Sequence, residues 1–225
     1  MVKLVLFDID GTLIHTHRAG TRAFGHAFHN TFGVADANQG VNFAGRTDTG
    51  IFREMCERHR VLICRENHER FFGRYVFWLD HLLRELGGGA LPGVVEFIAD
   101  LRALRRPPAI GLLTGNIRLG AEIKLRHCGL WEHFVMGAFG DDHENRNELA
   151  ALALKRAKGF LNRRLDGDDV LVIGDTPLDI ACANAIGARC LAVATGGAKL
   201  EELKAHRARW TVKDLRAVSA KEVCA

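Results

Sequence analysis

The 225-residue chain has no apolar run approaching the roughly 20 residues that cross a bilayer. Its opening apolar stretch, VKLVLF, is short and runs straight into acids, so the basic, apolar and cleavage regions of a secretory signal are missing. These absences argue against a membrane partner and point to the cytoplasm. No basic block or basic–aromatic stripe is present either, and the net charge is only +4, from 31 Lys and Arg against 27 Asp and Glu. That balance slightly favours an anionic partner and gives no sign of nucleic-acid binding. The densest basic stretch, KLEELKAHRARW, also carries acids and reads as a solvated helix face. The six cysteines are scattered, without a CxxC pair or a Cys-His metal spacing, and most lie among apolar residues. Buried reduced thiols are expected, not a disulfide framework. Internal repeats and low-complexity segments are absent too. What remains is a chain 48% hydrophobic and 26% charged, which suits one large globular domain or a core with a smaller second unit.

Short apolar runs alternate with helical patterns after about residue 92, and one such run opens the chain. Strands are expected at Val2–Phe7, Ala109–Leu113, Phe134–Met136, Val170–Ile173 and Cys190–Val193, with a weaker one at Trp210–Val212. Helices are expected at Val94–Leu104, Leu119–Cys128, Asn147–Lys158 and Leu178–Ile186. Continuously apolar strands imply burial on both faces, and alternation with helices implies a parallel sheet. The fold class is therefore α/β, with an open, doubly wound sheet.

Residues 16–89 break this rhythm. Phe24, Phe28 and Phe32 recur every four residues, and FFGRYVFWLDHLLREL places Phe72, Tyr75, Leu79, Leu82 and Leu86 along one side of a helix. The segment ends at GGGALPG, where the glycines suit a hinge and Pro92 suits the start of the next helix. An all-helical insert, 16–89, thus follows the first strand, and 1–15 with 90–225 form the α/β core.

Ligands bind such sheets at the carboxyl ends of the strands, and four polar clusters fall there. In DIDGT, Asp8 and Asp10 share a tight turn that Gly11 permits, and paired carboxylates suit a metal-assisted reaction in which one attacks and the other handles a proton. In LLTGN, Thr114, Gly115 and Asn116 offer a hydroxyl and backbone N–H groups to phosphate oxygens. In IGDTPLDI, Asp175 and Asp179 are hard oxygen ligands of the kind Mg²⁺ takes, although capping of the helix by Asp175 would also explain an acid there. GDDHENRNEL supplies acids and Arg146 at a helix start. Each cluster alone has an ordinary structural explanation; together they can converge on one crevice.

The order and separation of Asp8–Thr12, Thr114 and Gly174–Asp179, with a helical insert after the first strand, resemble the haloacid dehalogenase superfamily, in its phosphatase branch with a helical cap, phosphoglycolate phosphatase-like. The resemblance implies a Mg²⁺-dependent phosphatase acting on a small phosphorylated metabolite. It implies Asp8 as nucleophile, forming an aspartyl-phosphate. Asp10 becomes the general acid and base, its backbone carbonyl also ligating the metal. Thr114 with Thr12, Gly115 and Asn116 holds the phosphate, Asp175 ligates Mg²⁺, and Asp179 supports it. The family's third-motif cation is usually lysine; here Arg146 is the candidate, with Lys155 and Lys158 as competitors. Arg46, in FAGRTDTGI, is the candidate substrate contact from the cap, whereas His15, His17 and the aromatic run Phe71–Trp78 read as hinge, surface or cap core. The presence of Asp10 favours phosphoester over dehalogenase chemistry. A phosphomutase of the same family, β-phosphoglucomutase-like, and a non-catalytic binding protein are the alternatives.

Overall fold

A computed structural model describes residues 1–225. In chain order it contains β1 (Leu4–Phe7), β2 (Ile14–His15), α1 (Ala19–Phe32), α2 (Asp48–Arg58), α3 (Arg65–Leu86) and β3 (Gly89–Ala90). Then follow α4 (Val94–Ala103), β4 (Ala109–Leu113), α5 (Arg118–His127), β5 (Gly137–Ala138), α6 (Arg146–Leu161), β6 (Val170–Gly174) and α7 (Pro177–Ala185). The chain closes with β7 (Arg189–Val193), α8 (Leu200–Ala205), β8 (Trp210–Val212) and α9 (Ala220–Cys224). No helix is long and apolar enough to cross a membrane.

Six strands pair in parallel in the order β5-β4-β1-β6-β7-β8. Every residue of β1 and β6 is buried, because helices cover both faces of the sheet. Alternation still operates inside β1. Val5 and Phe7 join one apolar cluster, while Leu4 and Leu6 join the cluster on the opposite face. Full burial of such side chains stabilises by about 1.5–3 kcal/mol each, so the central strands are the most firmly held part of the sheet.

Helices α1, α2 and α3 gather a third cluster of their own, rich in aromatic rings. Phe24 and Phe28 of α1 meet Phe71 of α3 edge-to-face. Phe72 and Tyr75 are buried there, as the periodicity of the sequence implied, together with Phe71, while Phe77 is exposed. The chain enters and leaves this helical unit through the antiparallel pair β2–β3, with Ile14 opposite Ala90 and His15 opposite Gly89.

Three local expectations change. The fifth strand forms at Gly137–Ala138, not Phe134–Met136. Pairing with β4 does begin earlier, as Val135 N donates to Ile110 O, but Phe134 and Met136 spend their side chains on the two sheet-face clusters. The triple glycine is a paired strand in part, because backbone pairing of two residues leaves no side-chain period to read. A Cβ on Gly88 would come within 2.7 Å of His15 O, which is why the approach to this pair takes glycine. Pro92 precedes the next helix without opening it, since Gly93 at φ 83° is the cap of α4.

Candidate active site

Asp8 follows β1 directly, and its N–H donates to Ile173 O, extending the ladder by one residue and aiming the carboxylate at the carboxyl edge of the sheet. Gly11 at φ 83° turns the chain back at once. A Cβ there would stand 2.6 Å from Asp175 Oδ2, so the turn needs glycine for both angle and space. Beside it, Thr12 Oγ1 donates to Asp175 Oδ1 at 3.0 Å. Thr12 is thus committed to the acid of the neighbouring strand and does not line the cavity described below.

Asp175 leaves β6, but it does not cap α7. Thr176 is the cap, and Asp179 closes a capping box with it, accepting from Thr176 N at 3.0 Å and Oγ1 at 2.7 Å. The other oxygen of Asp179 takes Arg146 Nη2. Arg146 opens α6 behind the cap Asn145, and the same Nη2 reaches Asp8 Oδ1 at 3.4 Å. Its Nε is buried without a partner. Burial pulls the Arg146 pKa down, but the charges of Asp179 and Asp8 outweigh it and hold the guanidinium firmly protonated. Lys155 and Lys158 are exposed farther along α6, so Arg146 is the cation that the fold brings to Asp8.

Carboxylate oxygens of Asp8, Asp175 and Asp179 lie within 4.8 Å of one another. Burial pushes the Asp8 carboxyl up to about 7, with Asp179 and Asp10 adding to the rise and Arg146 opposing it. Burial, then Asp179 and Asp8, likewise lifts Asp175 well above its usual value. Three buried acids beside one guanidinium form an all-oxygen donor set whose carboxylates a divalent cation would keep ionised, and that fits a hard ion such as Mg²⁺. Asp179 is already engaged on both oxygens, which leaves Asp8 and Asp175 as the acids with capacity for a ligand.

The Asp10 side chain turns away from these three. Its Oδ2 accepts from Asn116 Nδ2 at 2.8 Å and from Lys124 Nζ at 2.6 Å. Asn116 also donates through N and Nδ2 to Thr114 Oγ1, at 3.2 and 2.9 Å. Thr114 is fully buried and shapes this turn from below, whereas Gly115 and Asn116 line the cavity. Lys124, on α5, is the residue that sequence reasoning missed. Its position three after Ala121 and one before Leu125 puts it on the buried face of that helix, the one signal that marks it.

A cavity of about 460 Å³ lies between the sheet edge and the helical unit, lined below by Asp8, Asp10, Asn116, Arg146 and Asp175. From above, Arg18, Arg46, Asp48 and Tyr75 reach it. Arg46 is held at Nη1 by Asn42 O and Glu54. His15 and His17 stay outside, stacked edge-to-face on each other.

One segment of the helical unit seats on the core. Thr47 Oγ1 donates to Glu144 O at 2.9 Å, Asp48 N to Gly115 O at 2.7 Å and Thr49 Oγ1 to Gly140 O at 2.6 Å. In return Ile117 N donates to Asp48 Oδ2 at 2.9 Å. Burial pushes Asp48 up to about 7 against the pull of Lys124. The folded chain therefore keeps that proton where the unfolded chain has lost it. The stability Asp48 contributes is complete below the ordinary aspartate value and is lost as pH rises from there through about 7. Asp48→Asn, neutral throughout, should gain in melting temperature over the parent chain from about pH 4 to about 7 and level off above; a difference that stays flat with pH would rule out this titration.

The model of the haloacid dehalogenase-like hydrolase family matches residues 2–187. The chain belongs to that family. Among relatives, the "Probable phosphatase IndB" of Dickeya dadantii is 26% identical over 217 residues, covering 91% of this chain and 86% of the relative. Solved structures share the fold, two of them as follows. A hydrolase from Pseudomonas syringae superposes with a TM-score of 0.73 at 21% identity, covering 96% of this chain and 94% of its own. A structure described as a predicted phosphoglycolate phosphatase, from Haemophilus somnus, gives 0.74 at 17% identity, with 95% of each chain covered. Membership in this hydrolase family agrees with the doubly wound α/β sheet and with the ordered motifs Asp8–Thr12, Thr114 and Gly174–Asp179.

Proposed function

We propose that the chain is a Mg²⁺-dependent phosphatase that hydrolyses a small phosphomonoester through an aspartyl-phosphate on Asp8, and that residues 16–89 are the cap closing over the substrate. The observation that carries this reading is the floor of the cavity. Asp8 stands between the Arg146 guanidinium and Asp175, with Asp10 two residues on along the same turn.

An oxygen of Asp8 attacks phosphorus while the bond to the leaving oxygen breaks, and Asp10 gives that oxygen its proton. A water then attacks the same phosphorus and passes its proton to Asp10. The Asp8–phosphorus bond breaks, releasing phosphate and restoring both acids. Asp8 and Asp175, with the backbone carbonyl of Asp10, would hold Mg²⁺, which when bound would supply positive charge that lets an anionic phosphate approach a carboxylate. Arg146 supplies the rest from the protein itself, and Gly115 and Asn116 offer donors to the phosphate oxygens. The cavity suits a metabolite of modest size. Arg46 has Nη1 tied to the cap, so its remaining N–H groups are the ones it offers a substrate. The Haemophilus and Dickeya relatives, by their names, agree with phosphoester hydrolysis.

Release of phosphate from p-nitrophenyl phosphate and from a panel of phosphorylated metabolites tests the proposal. Turnover should fall to background in EDTA and return with added Mg²⁺. Turnover indifferent to EDTA would remove the metal from the reading. Sugar-phosphate isomerisation without free phosphate would make the chain a mutase, and no turnover of any ester would make it a binding protein.

A further inference from the structure

Lysine is almost never fully buried unless it is paired, and Lys124 is 3% exposed. Its ammonium takes two acceptors, Asp10 Oδ2 at 2.6 Å and Asn116 Oδ1 at 2.5 Å. Asn116 completes the triangle by donating from Nδ2 to Asp10 Oδ2 at 2.8 Å. The lysine fixes which way the amide points, since its ammonium can only donate and so must face the amide oxygen. The amide nitrogen is thereby turned toward Asp10. Both bonds to Asp10 fall on one oxygen, Oδ2, while Oδ1 takes no hydrogen bond from the protein and Asp10 lines the cavity.

Room for this arrangement is built on both sides of the cleft. A Cβ on Gly20 of α1 would stand 3.3 Å from Lys124 Nζ, and one on Gly120 of α5 would stand 3.4 Å from the Tyr75 ring. The ammonium is thus enclosed where the helical unit meets the core.

We infer that Lys124 is a positioning residue for proton transfer, holding Asp10 through Oδ2 so that Oδ1 is the oxygen that exchanges a proton with the leaving group and then with water. This rests on the proposed role of Asp10. It separates Lys124 from Arg146, whose partners are Asp8 and Asp179 and whose charge faces the phosphate.

Leaving groups tell the two roles apart. p-Nitrophenolate departs with little help from an acid, whereas the alkoxide of β-glycerophosphate needs its proton. Lys124→Met should lower kcat on β-glycerophosphate by about 10²–10³-fold and on p-nitrophenyl phosphate by less than about tenfold, with KM for both nearly unchanged. Lys124→Gln, which keeps a hydrogen bond but not the charge, should show the same bias in milder form, and it stands in if the methionine variant does not fold. Adding Lys124→Met to Asp10→Asn should cost nothing further on β-glycerophosphate, because the lysine acts through that acid. Equal losses on both esters, or a full further loss in the double variant, would overturn the inference. If Asp10→Asn itself shows no leaving-group bias, the acid–base reading of Asp10 has failed; bias in Asp10→Asn with none in either Lys124 variant sinks the positioning role alone.

Discussion

Asp8→Asn yields a folded chain that releases no phosphate, with kcat down by about four orders of magnitude or more. The size of the effect follows from covalent catalysis. An amide oxygen at that position is a far weaker nucleophile than a carboxylate, and no second acid can take its place. Asp175 is tied to Thr12, Asp179 to Thr176 and Arg146, and Asp10 to Asn116 and Lys124. Folding should survive the change. Asp8 is buried, and burial already pushes its carboxyl up to about 7, so a neutral side chain of the same shape removes a cost. The expected record is therefore a melting temperature equal to or above that of the parent chain, together with lost turnover. The parent, acid-quenched during turnover, should carry a hydroxylamine-labile phosphate that the variant lacks. Substantial turnover by a well-folded Asp8→Asn would refute the aspartyl-phosphate route.

The parts of this site that the sequence announces share a physical origin. Asp8, Thr114 and Asp175 each follow a strand buried on both faces, and such strands read as unbroken apolar runs whose ends are easily placed. Motif position and strand end therefore coincide. The strand at Gly137–Ala138 is masked in the sequence, because small residues make the pairing while the flanking Phe134 and Met136 carry the apolar signal. Thr12 reads as a phosphate contact until the turn shows its hydroxyl bound to Asp175. Lys124 and Asp48 are hidden for another reason: each owes its burial to contact between residues far apart in the chain. Lys124 Nζ finds Asp10 only once α5 packs beside the first strand's turn, and Asp48 Oδ2 finds Ile117 N only once the helical unit sits on the core. A lysine in a helix and an aspartate at a helix start otherwise look like ordinary surface residues.

Arg146→Met should lose both stability and activity, and the two losses should respond differently to Mg²⁺. The guanidinium is 7% exposed and bridges Asp8 and Asp179. Removing it leaves Asp8, Asp175 and Asp179 facing one another without a cation, and breaking a buried pair in this way costs about 3–5 kcal/mol. A divalent ion at Asp8 and Asp175 offsets part of that repulsion, so saturating Mg²⁺ should raise the melting temperature more in the variant than in the parent. Activity should not recover in parallel. Arg146 Nη2 stands on the side of Asp8 shared with Asp179, and the charge it offers a transferring phosphoryl group comes from a fixed direction. Loss of one such electrostatic contact lowers kcat by about 10²–10³-fold, and this deficit should persist at Mg²⁺ concentrations that have restored the melting temperature. Arg146→Lys would regain stability and part of kcat, since one ammonium keeps the charge but cannot match the planar fork. If Mg²⁺ restored stability and kcat together, Arg146 would be only a charge balance for the acids, and its role toward phosphate would be refuted.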